Sequence, residues 1–203
     1  KNTVLIVEEA VHFLRLAPAN LLLSYYVGSL PFILGLLFFW ADMSRHGYAG
    51  DHLYVGSLGV ALLFIWMKSW HAVFGLQIRL KLSGTTWQPL PVQRYLSIVI
   101  SQTLIHSTGL FVLPLAALMM VPFGWCYAFY QNAAMQAYND SLNFRDMSKN
   151  AWQQAKLWPM QNHLLLIIFF CFGLVVLFNV SVAIIISPYL LKKFAGMETV
   201  FTL

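Results

Sequence analysis

The chain has 203 residues, of which 60% are hydrophobic and only 9% are charged, against roughly 25% charged residues in a typical soluble domain. With a mean hydropathy of +0.70, this composition excludes an ordinary soluble domain and predicts an integral membrane protein. The net charge of +5 comes from cations scattered along the chain. Because they form no basic stripe, no nucleic-acid partner is expected.

The first predicted element is an amphipathic helix over residues 3–16. Its apolar positions recur at helical spacing on one stripe and its charged positions lie on the other. The apolar stripe contains Val4, Val7, Val11 and Leu14, and the charged one contains Glu8, His12 and Arg15. The helix is too short and too charged to cross a bilayer, so we expect it to lie on the membrane surface.

Two long apolar segments follow, and they predict spans at about 19–41 and 53–78, separated by a polar loop from Asp42 to His52. Each is long enough for a hydrocarbon layer about 30 Å thick. Trp66 and Trp70 lie one turn apart near the far end of the second span. Since aromatic residues favour the membrane interface, Lys68 is expected at the membrane edge.

The stretch from Tyr95 to Asn139 carries no formally charged side chain. One helix of that length would reach roughly 67 Å at about 1.5 Å per residue, so the segment must fold back on itself. Proline commonly ends or kinks a helix, and Pro114 is the expected breaking point. The prediction is a tight hairpin of two spans, at about 95–111 and 115–137.

A second amphipathic helix is predicted over 146–158, ended by Pro159. It places Met147, Ala151, Ala155 and Trp158 opposite Lys149, Gln153 and Lys156. The final predicted span covers 160–187 and ends at Pro188, which is followed by Lys192 and Lys193. Its length indicates a tilted helix.

The expected fold is therefore all-α: one integral membrane domain over 1–203, a polytopic bundle of about five spans and two interfacial amphipathic helices. The N-terminal segment and the loops after the second and fourth spans hold most of the lysines and arginines. By the positive-inside rule, the N-terminus is cytoplasmic. The expected location is a bacterial inner membrane.

A short pattern occurs twice, each time before a long apolar span. Glu9-Ala10 through Arg15-Leu16-Ala17-Pro18 matches Asn150-Ala151 through Lys156-Leu157-Trp158-Pro159 with the same internal spacing. This pattern resembles that of uncharacterised bacterial multi-pass proteins of the glycerophosphodiester phosphodiesterase membrane-domain type. The resemblance implies six spans and no catalytic residues, since hydrolysis in the named enzymes belongs to a separate soluble domain.

The polar side chains inside the predicted spans are the candidates for function. Gln102 and His106 lie four residues apart on one face of the third span, and Asn179 lies in the last. The structural interpretation is that they hydrogen-bond neighbouring helices. The functional alternative is that His106 is an axial ligand for haem or a chlorophyll-type metal, with His71 or His163 as the available second histidine.

Lys68 and His71 lie three residues apart on one helical face, beside Trp66 and Trp70. A cation snorkelling in an aromatic belt explains this set. The functional alternative is a lipid-headgroup site for a phosphate or cardiolipin. Cys126 and Cys171 lie in apolar segments with no nearby metal ligands, so no metal site is predicted.

These observations predict a non-catalytic structural or assembly subunit of a larger membrane complex, with membrane lipids and other membrane proteins as its partners. Two alternatives stay open. Prolines within the spans and the repeated pattern are also compatible with a small-solute or lipid translocator. His106 leaves open a haem- or pigment-binding subunit of an energy-transducing complex.

Overall fold

The computed structural model describes residues 3–45, 47–85, 90–119, 123–136 and 144–197. Within these ranges every regular element is a helix, as the composition predicts. The helices are α1 (Thr3–Arg15), α2 (Ala19–Arg45), α3 (Ala49–Leu82), α4 (Val92–Leu118), α5 (Phe123–Gln136), α6 (Phe144–Leu157) and α7 (Pro159–Ala195).

Four of these helices are long and apolar enough to cross a membrane: α2, α3, α4 and α7. The chain thus has the helix lengths and composition of a membrane protein. The fifth predicted span, at about 115–137, is not among them. The described part of that segment includes α5, whose 14 residues reach about 21 Å.

The boundary between the third and fourth predicted spans differs from the prediction. Helix α4 contains Pro114 in its interior and continues to Leu118, because membrane helices tolerate a proline whose freed backbone groups find other partners. The predicted break at Pro114 is therefore wrong. The described chain resumes at Phe123; Pro122 and the predicted span end at Ala137 lie outside the described residues.

Other predicted boundaries also move outward. Much of the loop from Asp42 to His52 is helical, since α2 continues to Arg45 and α3 begins at Ala49. Helix α3 extends to Leu82, and α7 continues through Pro188 to Ala195. The linker after α3 and the loop after α5 fall partly outside the described residues.

The chain divides into two compact units, Lys1–Pro159 and Met160–Leu203. In the first, α2 and α3 form a long hairpin, α4 packs on α3, and α5 packs on α4. Its buried apolar side chains form two clusters. One contains Ala72, Val73 and Ile98, and the other contains Ile105, Tyr130, Ala133, Met147 and Ala151.

Helix α6 has the amphipathic character that its sequence predicts. Its apolar positions Met147, Ala151 and Ala155 are buried, and α6 packs along α5. The apolar stripe therefore contacts protein, whereas an interfacial helix would present it to lipid. Trp158, predicted to belong to this stripe, lies beyond the end of α6 and is 62% exposed.

Candidate intramembrane polar site

Three rings form a row across the midpoints of α2, α3 and α4. The Phe32 ring lies 5.7 Å from Phe64, and Phe64 lies 5.5 Å from His106, both pairs edge-on. We call these three residues the mid-depth row. A hydrocarbon layer about 30 Å thick centred on it extends roughly 15 Å to either side.

Lys68 lies one helical turn from the mid-depth row. Its Nζ is 5.5 Å from the centroid of the Phe64 ring, a cation–π contact. Four residues at about 1.5 Å each place its backbone only roughly 6 Å from the row, inside such a layer. Lys68 was predicted to lie at the membrane edge, and α3 continues beyond it to Leu82. Among the described residues, no acidic side chain pairs with it.

His71 connects α3 to α2. Its Nε2 lies 2.9 Å from the hydroxyl oxygen of Ser29, and its ring stacks on Tyr25 at 4.7 Å with an interplanar angle of 2°. One imidazole nitrogen and one ring face are therefore used in packing the two helices. The predicted headgroup pair of Lys68 and His71 shares one helix, but the two side chains contact different neighbours.

Gln102 is fully buried and connects α4 to α5. Its Nε2 donates a hydrogen bond of 2.9 Å to the backbone carbonyl of Ala134. This side-chain hydrogen bond joins the two helices. The Gln102 Oε1 is buried and has no hydrogen-bond partner among the described residues.

His106 is half-buried, and within the described part of the chain its Nε2 has no hydrogen-bond partner. Its ring contacts Phe64. His71 and His163 were the two candidates for a second axial ligand. The Nε2 of His71 is hydrogen-bonded to Ser29, and His163 belongs to the second unit. Among the described residues, no group of three or more His, Cys, Asp or Glu side chains is placed to hold a metal ion.

Asn179 lies near the midpoint of α7 and is exposed. Its Nδ2 donates a hydrogen bond of 2.7 Å to the carbonyl of Val175, within the same helix. The described contacts of Asn179 therefore do not include the bond to a neighbouring helix that the sequence predicted.

One polar feature was not predicted from the sequence. A cleft of about 660 Å³ lies where the end of α3, the end of α5 and one face of α6 meet. We call it the polar cleft, and it is lined by Arg79, Gln136, Asn150, Gln153, Gln154, Lys156 and Leu157. The repeated pattern is the feature of the sequence that singled out Lys156, a residue of this cleft. It gives no indication that Arg79, from a helix distant in the sequence, lines the same cleft.

No family model, curated protein or solved structure matches this chain. The resemblance to bacterial multi-pass proteins of the phosphodiesterase membrane-domain type therefore stays a prediction from the repeated pattern. The contacts described above are the basis for assigning a role.

Proposed function

We propose that this chain is a non-catalytic, polytopic subunit of a larger complex in a bacterial-type inner membrane, where it holds partner membrane proteins and lipids. The proposal assigns it binding and assembly, with no chemical step.

The use of polar side chains within α2, α3 and α4 supports a non-catalytic role. His71 contacts Ser29, Gln102 donates a hydrogen bond to the Ala134 carbonyl of α5, and the Ser24 hydroxyl donates a hydrogen bond of 3.1 Å to Oε1 of Gln77. Each contact joins two helices, as polar side chains commonly do in membrane bundles. An enzyme site would instead need an acid or base positioned beside a substrate cavity.

The observation that carries the subunit assignment is the character of α7. This helix has 37 residues and carries no charged side chain from Pro159 to Leu191. An asparagine amide near the midpoint of such a helix gains little from lipid, and side chains of this type bond across to other membrane helices. We infer that Asn179 pairs with a helix of a partner membrane protein.

Helix continuity weighs against the translocator alternative. Transporters commonly build their substrate sites from interrupted helices at mid-membrane. Here α2 contains Pro31 and α4 contains Pro114, and both helices continue through the proline. The haem or pigment alternative rests on the unpartnered Nε2 of His106, and an absorption spectrum of the purified protein tests it. A Soret or pigment band that disappears in His106→Leu would favour that alternative.

Photo-crosslinking in native membranes tests the subunit proposal. A benzoyl-phenylalanine replaces Phe178, which is exposed beside Asn179, and in a control replaces Tyr48, which is exposed between α2 and α3. We expect one discrete protein adduct from position 178 and none from position 48. Asn179→Leu should abolish that adduct, whereas Phe172→Leu on the same helix should leave it unchanged.

Three results would overturn the proposal. The first is an adduct at position 178 to lipid alone, and the second is an adduct only within the same chain. The third is an adduct unaffected by Asn179→Leu combined with a monomeric mass in mild detergent. Solute flux through proteoliposomes containing the purified chain alone would favour the translocator.

A further inference from the structure

The polar cleft brings together two cations from helices far apart in the sequence. Arg79 comes from the end of α3 and Lys156 from the last turn of α6, and amide side chains of α5 and α6 complete the polar lining. None of the described residues that line the cleft is acidic. Two positive charges among amide groups form an environment suited to an anion, and an arginine fork matches phosphate geometry.

Contacts within α5 and α6 hold the lining side chains in place. The Lys156 Nζ lies 4.7 Å from the centroid of the Trp152 ring. The Gln136 Nε2 donates a hydrogen bond of 3.1 Å to Oε1 of Gln154, and this orientation leaves the amide protons of Gln154 for another acceptor. The cleft therefore offers hydrogen-bond donors that are partly fixed before any ligand arrives.

The repeated pattern supplies an internal comparison. In α1, the cation Arg15 shares its surface with Glu8 and Glu9. The equivalent positions in α6 are Lys149 and Asn150, beside Lys156. The second copy of the pattern thus has no carboxylates at these positions, and its local charge is positive.

The depth of the cleft indicates which anion it meets. Arg79 lies about 15 residues beyond Phe64 on α3, which places it roughly 22 Å from the mid-depth row. A bilayer with its headgroups is about 40–45 Å thick, so this distance corresponds to the headgroup level. Leu157 adds an apolar side chain to the lining, as a ligand with an acyl region would require.

We propose that the polar cleft binds the phosphate headgroup of an anionic phospholipid. A soluble phosphate ester shares this chemistry, and the depth of Arg79 favours the lipid. The site rests on the membrane location of the chain and not on the subunit role, so it would stand if Asn179 had no partner.

Binding of short-chain lipids to the full chain in mild detergent tests the proposal. Dioctanoyl phosphatidylglycerol is titrated against dioctanoyl phosphatidylcholine and inorganic phosphate. We expect phosphatidylglycerol to bind at least about tenfold more tightly than either. Arg79→Gln and Lys156→Gln should each weaken that binding about tenfold, the usual loss for one charge-assisted hydrogen bond. Asn150→Glu gives α6 the carboxylate that α1 has at the equivalent position, and it should weaken phosphatidylglycerol binding at least as much.

Arg15→Gln is the matched control, because it removes the equivalent cation from the first copy of the pattern and should leave binding unchanged. Circular dichroism and gel filtration show whether each variant is folded; if Arg79→Gln is not, the two α6 variants decide. Equal affinities for the two lipids, or an equal loss in Arg15→Gln, would overturn the proposal. Inorganic phosphate binding as tightly as phosphatidylglycerol would overturn the lipid assignment and indicate a soluble phosphate ester.

Discussion

Replacing Gly28 by alanine tests the packing of the α2–α3 hairpin. A Cβ built on Gly28 would lie 2.6 Å from Cβ of Trp70 and 3.2 Å from the backbone oxygen of Met67. Carbon atoms normally approach no closer than about 3.5 Å. Because both contacts belong to or adjoin the α3 backbone, no side-chain rotation relieves them, and α2 must retreat by roughly 1 Å.

That retreat would also affect the two hydrogen bonds on either side of Gly28. The indole nitrogen of Trp66 donates to the Val27 carbonyl at 3.0 Å, and Ser29 contacts His71 at 2.9 Å. Overpacking costs about 1–3 kcal/mol, and each weakened interhelical bond adds about 0.6 kcal/mol. Alanine has a better helix propensity than glycine, which offsets up to about 1 kcal/mol of this loss of stability. We therefore expect Gly28→Ala to lower the free energy of unfolding by about 1–3 kcal/mol.

Unfolding in mixed micelles of increasing SDS content, followed by circular dichroism, measures this loss. Gly59→Ala is the matched control on α3, since nothing lies within 4 Å of its added Cβ. Gly35→Ala should have an intermediate effect, because its Cβ meets only the end of the flexible Leu63 side chain. If Gly28→Ala unfolds at the same SDS content as Gly59→Ala, the close approach of α2 and α3 at this point is refuted.

Three further substitutions test the polar contacts in the same assay. Ser29→Ala removes the bond to His71 and should cost about 0.5–1.5 kcal/mol. Gln102→Leu removes the hydrogen bond to the Ala134 carbonyl and should cost about 1–3 kcal/mol, with faster amide exchange in α5. Thr103→Val is its control, since it loses only a bond within α4, and it should change stability by less than about 0.5 kcal/mol. Lys68→Met removes an unpaired cation near mid-depth and should raise stability by about 1–2 kcal/mol.

Each of these has a contrary result. No loss in Ser29→Ala would mean that stacking on Tyr25 alone positions His71. Unchanged exchange in α5 after Gln102→Leu would mean that the bond from Gln102 to Ala134 does not stabilise α5. Lower stability in Lys68→Met would mean that this lysine has an anionic partner beyond the described residues.

The helical class and most of the membrane helices could be predicted from the pattern of residues. Long apolar segments with few or no charges led to α2, α3, α4 and α7, and the spacing of Met147, Ala151 and Ala155 predicted the buried stripe of α6. What the pattern could not supply was the partner of that stripe. A lipid surface and a neighbouring helix are both apolar, so the periodicity is the same for either.

The candidate site was only partly predictable. Lys68, His71, Gln102 and His106 were identified as polar residues within spans, but their contacts were not. Ser29 meets His71 across the hairpin, and Gln102 meets a carbonyl of a helix that the sequence analysis had extended into a full span. Such pairs join positions far apart in the chain, and helical spacing carries no information about them.

By itself, the sequence determined that this chain contains helices long enough to cross a membrane. In hydrocarbon every backbone amide must find its partner within the chain, and a long apolar segment meets that need as a helix. Only the tertiary structure decided that α4 continues past Pro114, that α6 packs its apolar stripe along α5, and that Arg79 and Lys156 line one cleft. Those outcomes depend on which neighbours compensate a proline and which helix ends meet, and both are properties of packing.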